Sequence, residues 1–139
     1  GKNDKLCPTS GQAESIQEES QNATYEPFKA DILADAPINL ADYGGISGTI
    51  FPVAGHTEGS LVVVSGPVAF VGDVFRGGIV GSGAEVHFFM CDLADNKADI
   101  RRLLDENPAV QHFYTGHFGP VDREAVEALL ADFQPPFAP

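Results

Sequence analysis

No run in this sequence approaches the roughly 18–20 consecutive apolar residues of a membrane span, and no charged-then-apolar signal is visible in its first residues. Basic residues are scarce: 8 Lys and Arg stand against 20 Asp and Glu, a formal charge of −12. Nucleic-acid binding draws much of its affinity from Lys and Arg neutralising phosphates. With no basic cluster, partners of the nucleic-acid and anionic-membrane classes are excluded. The two cysteines, Cys7 and Cys91, lie 84 positions apart (91 − 7) with no Cys-x-x-Cys spacing. They define neither a disulfide framework nor a thiolate zinc site. There is no internal repeat at short period, and the first 55 residues hold no histidine. The chain opens at Gly1 and not at methionine, which suggests residues removed or replaced upstream. Nothing in the sequence addresses it to a compartment, so cytoplasm is the default.

What is present is enough for one domain. The chain has 139 residues, 43% of them hydrophobic, with 15 glycines and 10 prolines that suit a turn-rich structure. Residues 1–24 are polar and acidic, with Leu6 and Ile16 as their only large aliphatics, and read as a linker with a short helix near 13–19. The texture changes at Tyr25, and residues 25–139 read as the folded part. "PINLADYGGISGTIFPV" places two short strand-like runs around a Gly-rich reversal at 42–45. "SLVVVSGPVAFVGD" then gives two apolar runs, 61–64 and 68–71, flanking Ser65-Gly66-Pro67. Runs without alternation predict strands covered on both faces. "GGIVGSG" (77–83) reads as a loop and "EVHFFM" (85–90) as a strand.

From residue 92 the period changes. Leu93, Ile100, Leu103 and Leu104 form a stripe opposite Lys97, Arg101, Arg102 and Asp105, which predicts a helix over 92–106 with Asp92 as N-cap. "VQHFYT" (110–115) predicts a strand. Residues 122–133 predict a final helix with Asp122 as N-cap and Val126, Leu129, Leu130 and Phe133 inward. Strand, helix, strand and helix from 85 onward imply βαβ wiring, a mixed sheet backed by helices in the α/β (α+β) class.

This wiring brings polar groups together. His56 precedes the first strand of the 61–71 hairpin and Asp73 follows its second, so an antiparallel hairpin sets them at one sheet end. His117 follows the strand 110–115, and ligands in open α/β sheets sit beyond the carboxyl ends of strands. Two imidazoles and a carboxylate suit zinc first, or iron or manganese. Each residue also has an ordinary reading: a turn histidine, a Gly-Asp turn, a Gly-rich loop. Arg76 reads equally as a substrate-carboxylate or phosphate contact and as a surface arginine. His87 and His112, flanked by aromatics, read as packed structural histidines, and Cys91 as a buried inert thiol.

At "GHTEGS" (55–60), "FVGD" (70–73) and "TGHFGP" (115–120), in this order, the chain resembles the metallo-β-lactamase superfamily. The resemblance covers about residues 25–133 and matches that superfamily's last three metal motifs. It implies half of an αββα sandwich. By it, His56 would bind a first metal, Asp73 would bridge two, His117 would bind the second, and Thr57, Gly59 and Ser60 would shape the loop that aims His56. It also implies metal-bound hydroxide attacking an ester, thioester, amide or phosphodiester of a small-molecule substrate.

The superfamily's first motif, His-x-His-x-Asp-His, has no counterpart among these residues. A hydrolytic zinc site needs about three protein ligands and a water position, so the chain by itself is expected to bind metal incompletely and to be inactive. Half a sandwich leaves an apolar sheet face in need of a cover. The expected cover is the N-terminal half of the same domain or a second copy of the chain. Two functions follow: the C-terminal part of a metal-dependent hydrolase, or a non-catalytic half-fold acting as an association module. A nuclease role is disfavoured by the charge.

Overall fold

The computed structural model describes residues 30–81 and 83–134. The expected linker 1–24 and its helix at 13–19 lie outside the described residues. β-branched runs form the centre of the structure. Strands β1 (Ile38–Asn39), β2 (Thr49–Val53), β3 (Ser60–Ser65) and β4 (Val68–Gly72) pair antiparallel in chain order. The Gly-rich reversal between β1 and β2 is a short helix, α1 (Ala41–Gly44), closed by Gly45 in the left-handed conformation. Two further strands, β7 (His112–Thr115) and β8 (Val121–Asp122), complete a six-stranded mixed sheet in the order β1-β2-β3-β4-β7-β8.

β7 runs parallel to β4, with Val68 opposite His112 and Phe70 opposite Tyr114. The crossover between them carries a two-stranded ribbon, β5 (Arg76–Gly77) and β6 (Ala84–Glu85), and helix α2 (Leu93–Glu106). The expected strand over 85–90 is therefore corrected: only Glu85 of that run pairs in the ribbon. Val86 and Met90 turn into the core and His87 is also buried, so the segment does not hold the alternating geometry of a ladder.

Both helices form where expected. The Asp92 carboxylate accepts from the amides of Ala94 (2.8 Å) and Asp95 (2.9 Å) at the start of α2. Asp122 accepts from the Ala125 amide (2.9 Å) at the start of α3 (Arg123–Ala131). Such caps satisfy amides that no helical carbonyl can reach. Ile100, Leu103 and Leu104 of α2 and Val126 and Leu129 of α3 join one core with Val62, Ala69, Val71, Phe75 and Phe113. Among the described residues no helix is long and apolar enough to cross a membrane.

The two faces of the sheet differ. Val62, Val64, Ala69 and Val71 are buried in that core, while their alternating neighbours Leu61 and Phe70 stay 42% and 50% exposed. Tyr114 stacks on Phe70 with ring centroids 5.4 Å apart and is itself 47% exposed. One face of the hairpin is thus covered within the chain, and the other is the apolar face for which a cover from another polypeptide is expected. Among the described residues only the helix-backed face has a cover, and the other presents uncharged, largely apolar side chains.

Candidate metal centre

His56 sits in the loop between β2 and β3, and α2 fixes that loop. The amides of Ala54 and Gly55 donate to one carboxylate oxygen of Asp99 (2.9 and 3.1 Å), and the Asp92 amide donates to the Gly55 carbonyl (2.9 Å). Gly55 passes so close to the Asn96 backbone that a Cβ could not fit between them. The hydroxyls of Thr57 and Ser60 meet at 2.8 Å across the following turn. The ring of His56 is 8% exposed, and its Nδ1 donates to the Phe89 carbonyl at 2.6 Å. A carbonyl can only accept, so the second nitrogen, Nε2, carries the lone pair of the neutral ring. Nε2 lies 3.9 Å from Oδ2 of Asp73.

Asp73 follows β4, and the next residues are anchored from the same helix. Val74 is buried, and its carbonyl accepts from the Nδ2 of fully buried Asn96 at 2.7 Å. His117 follows β7, in a loop tied back by the Gly116 amide to the Gly72 carbonyl (2.7 Å) and by the Gly77 amide to the His117 carbonyl (2.9 Å). Its Nδ1 lies 2.9 Å from Oδ1 of Asp73. Gly116 permits this approach, because a Cβ there would collide with that same oxygen. The structure thus brings His56, Asp73 and His117, the three residues singled out in the sequence, to one sheet edge.

A fourth group joins them. The buried His87 places Nε2 3.4 Å from Nδ1 of His117 and 3.8 Å from Oδ1 of Asp73. Asp73, His87 and His117 each offer a ligand atom within 4.8 Å of the others. Burial pushes the His87 imidazole from the ordinary 6.5 down to about 4, against the opposing pull of the Asp73 carboxylate. In the sequence His87 is hidden within an aromatic run, and no local spacing ties it to residues 14 and 30 positions away (87 − 73, 117 − 87).

The donor set fits a divalent ion. Neighbouring ligand atoms around a tetrahedral zinc with bonds of about 2.0–2.1 Å stand roughly 3.3 Å apart. The separations of 3.4, 3.8 and 3.9 Å here are close to that, while Asp73 and His117 meet at 2.9 Å, a hydrogen-bond distance that a shared ion would open slightly. The centre is open on one side, with the His117 side chain 53% exposed and that of Asp73 31%.

Three other residues take different places. Arg76 is buried, with its guanidinium paired to Glu85, donating to the Gly77 carbonyl (3.0 Å) and lying 4.2 Å over the Phe88 ring. It lines a cavity of about 720 Å³ between the β5–β6 ribbon and α3. Cys91, expected as an inert thiol, is disulfide-bonded and partly exposed, and its amide donates to the His56 carbonyl (3.1 Å). His112, expected to be packed, is exposed at the start of β7.

The fold has counterparts among solved structures. The metallo-β-lactamase DIM-1 exposed to ceftazidime matches 90% of this chain at 18% identity, with a TM-score of 0.58. The chain also matches VMB-1 over 88% of its length at 16% identity, with a TM-score of 0.57. A third match is the metallo-β-lactamase FIM-1 from Pseudomonas aeruginosa in its mono-zinc form, over 89% of this chain at 20% identity with a TM-score of 0.56. The fold is that of the metallo-β-lactamases. No protein-family model and no curated protein matches the chain. The chain spans about half the length of these metallo-β-lactamases: 56%, 53% and 54% of DIM-1, VMB-1 and FIM-1. The mixed sheet with helices on one face is therefore a partial metallo-β-lactamase fold, as the sequence motifs lead one to expect.

Proposed function

We propose that this chain is the C-terminal part of a metal-dependent hydrolase, with His56, Asp73 and His117 among the metal ligands. One observation carries the reading: the Asp73 carboxylate turns one oxygen to His56 and the other to His117. A carboxylate shared in this way suits a bridging ligand between two ions. When bound, a divalent ion lowers the pKa of water from 15.7 towards about 7 and polarises the bond under attack. Zinc suits the His and Asp donors best, and iron or manganese would also be accepted by them.

The chain's own residues orient the centre. The Phe89 carbonyl fixes the tautomer of His56, leaving Nε2 free to coordinate. Asn96 and Asp99, on one helix, hold the segments that carry Asp73 and His56. Burial of His56 and His87 keeps water away from one side of the centre, while the exposed His117 side is where substrate can approach.

The open sheet face supports a second element of the reading. Leu61, Phe70 and Tyr114 make an exposed apolar strip, and this chain spans only 56% and 53% of two of the matched structures. The cover that fits is the N-terminal half of the same domain, which would also supply the remaining metal ligands and make the hydrolase active on a small-molecule substrate. Metal analysis and hydrolysis assays test this directly. The 139-residue chain is expected to carry metal that is lost on His117→Ala. Hydrolysis of an ester, thioester, amide or phosphodiester is expected only when the preceding half of the domain is joined or added. A stable dimer of the chain with the open face buried would point instead to an association module.

A further inference from the structure

We infer that the two sides of the metal centre are unequal in this chain: Asp73, His87 and His117 form a self-sufficient site for one divalent ion, while the His56 side cannot hold an ion without ligands from elsewhere. The inference rests on the reading that this sheet edge binds metal, and adds His87 as a ligand and an order of loading.

Donor count and position separate the two sides. On the Oδ1 side of Asp73, two imidazole nitrogens stand 2.9 and 3.8 Å from the carboxylate oxygen and 3.4 Å from each other. Two imidazoles and a carboxylate make three protein ligands, the number a zinc ion with one open position takes. On the Oδ2 side, among the described residues, the structure supplies only the His56 nitrogen at 3.9 Å. His87 and His56 are adjacent, with ring centroids 5.1 Å apart and planes at 82°. Yet the nitrogen of His87 is near His117, and the mutual set of ligand atoms comprises Asp73, His87 and His117.

Coordination has a definite consequence for His87. Its Nδ1 now receives the Phe89 amide at 3.3 Å, near the limit of a hydrogen bond. Binding a metal through Nε2 leaves the ring proton on Nδ1, so that long contact is given up and the Phe89 amide must shift. No such change is required at His56, whose Nδ1 already donates to the Phe89 carbonyl.

The test is a cobalt(II) titration of the chelator-stripped 139-residue chain, read by the visible absorption of bound cobalt and by metal content after gel filtration. One equivalent is expected. His87→Gln should weaken binding by more than about 100-fold, beyond the 10–100-fold typical of losing a residue that only supports a ligand. Because His87 is buried, circular dichroism checks that the Gln variant folds. Ring-nitrogen NMR on the unaltered chain gives an independent reading: added zinc should move the His87 Nε2 resonance to that of a metal-bound nitrogen and leave both His56 nitrogens in place. Two equivalents, or a folded His87→Gln chain with undiminished affinity, would overturn the inference while His117→Ala still abolishes binding and upholds the broader reading. An unaltered chain that takes up no cobalt would overturn both.

Discussion

Asp73 and His117 are 44 positions apart in the chain, yet Oδ1 of the first lies 2.9 Å from Nδ1 of the second. The parallel pairing of β4 with β7 brings them together, since each residue follows the carboxyl end of its strand. Nothing bulkier than hydrogen fits on the Cα of Gly116 beneath this contact.

Gly116→Ala should therefore push the Asp73 carboxylate aside. Metal affinity is expected to fall by at least about 10-fold, in line with the effect of disturbing a ligand's support. The β7 ladder ends at Thr115, so thermal stability should change much less. Calorimetry with zinc and a melting curve in chelator separate the two effects.

Asn96→Ala removes the side-chain amide that donates to the buried Val74 carbonyl. An orphaned buried acceptor costs about 1–3 kcal/mol. Urea denaturation should show a loss of that size, and metal affinity should drop with it, because Val74 adjoins Asp73.

The pH dependence follows from His87. Its imidazole is held down at about 4 in the folded chain against 6.5 for the ordinary side chain, so between these values the unfolded chain binds the extra proton. Stability of the metal-free chain should be full above pH 6.5 and fall as pH drops towards 4, by about 3 kcal/mol in total. The Asp73 carboxylate, which favours the charged ring, limits the loss, while His56 and His117 add to it. Denaturation in chelator at stepped pH checks this, and His87→Gln should flatten the profile over that window.

Asp92→Ala and Asp122→Ala each remove an N-cap, at a cost of about 1 kcal/mol apiece. The caps serve different helices, so the double variant should lose the sum. A larger loss for Asp92→Ala would trace to the neighbouring Gly55 loop, which the Asp92 amide also holds.

Phe70→Ser should barely change the stability of the isolated chain, because the ring is half exposed. It should lower the binding of a hydrophobic dye and weaken association with a covering polypeptide by about 10-fold or more, as the loss of an apolar anchor does. Fluorescence titration and pull-down with the preceding half of the domain measure the two.

Much of the centre is legible in the sequence. An antiparallel hairpin must return to its starting end, so "GHTEGS" and "FVGD" alone pair His56 with Asp73. Both helices are legible too, from stripe and cap together. His87 is not, since its role depends on the run "EVHFFM" leaving strand geometry after Glu85. An uncovered apolar face is legible from the half-sandwich, but which side of the hairpin it is escapes the sequence for a similar reason. Leu61–Val64 is apolar at every position, so its pattern does not say which side the helices of this chain reach. The disulfide at Cys91 is out of reach because cysteine spacing of this width names no geometry.

Helix α2 supports both halves of the centre: Asp99 grips the loop of His56, and Asn96 grips the residue after Asp73, one turn away on the same helix. Small tilts or slides of α2 should therefore carry His56 and Asp73 as a pair. The distance between them is then insulated from the breathing of the domain, so any covering chain meets an already spaced half-centre.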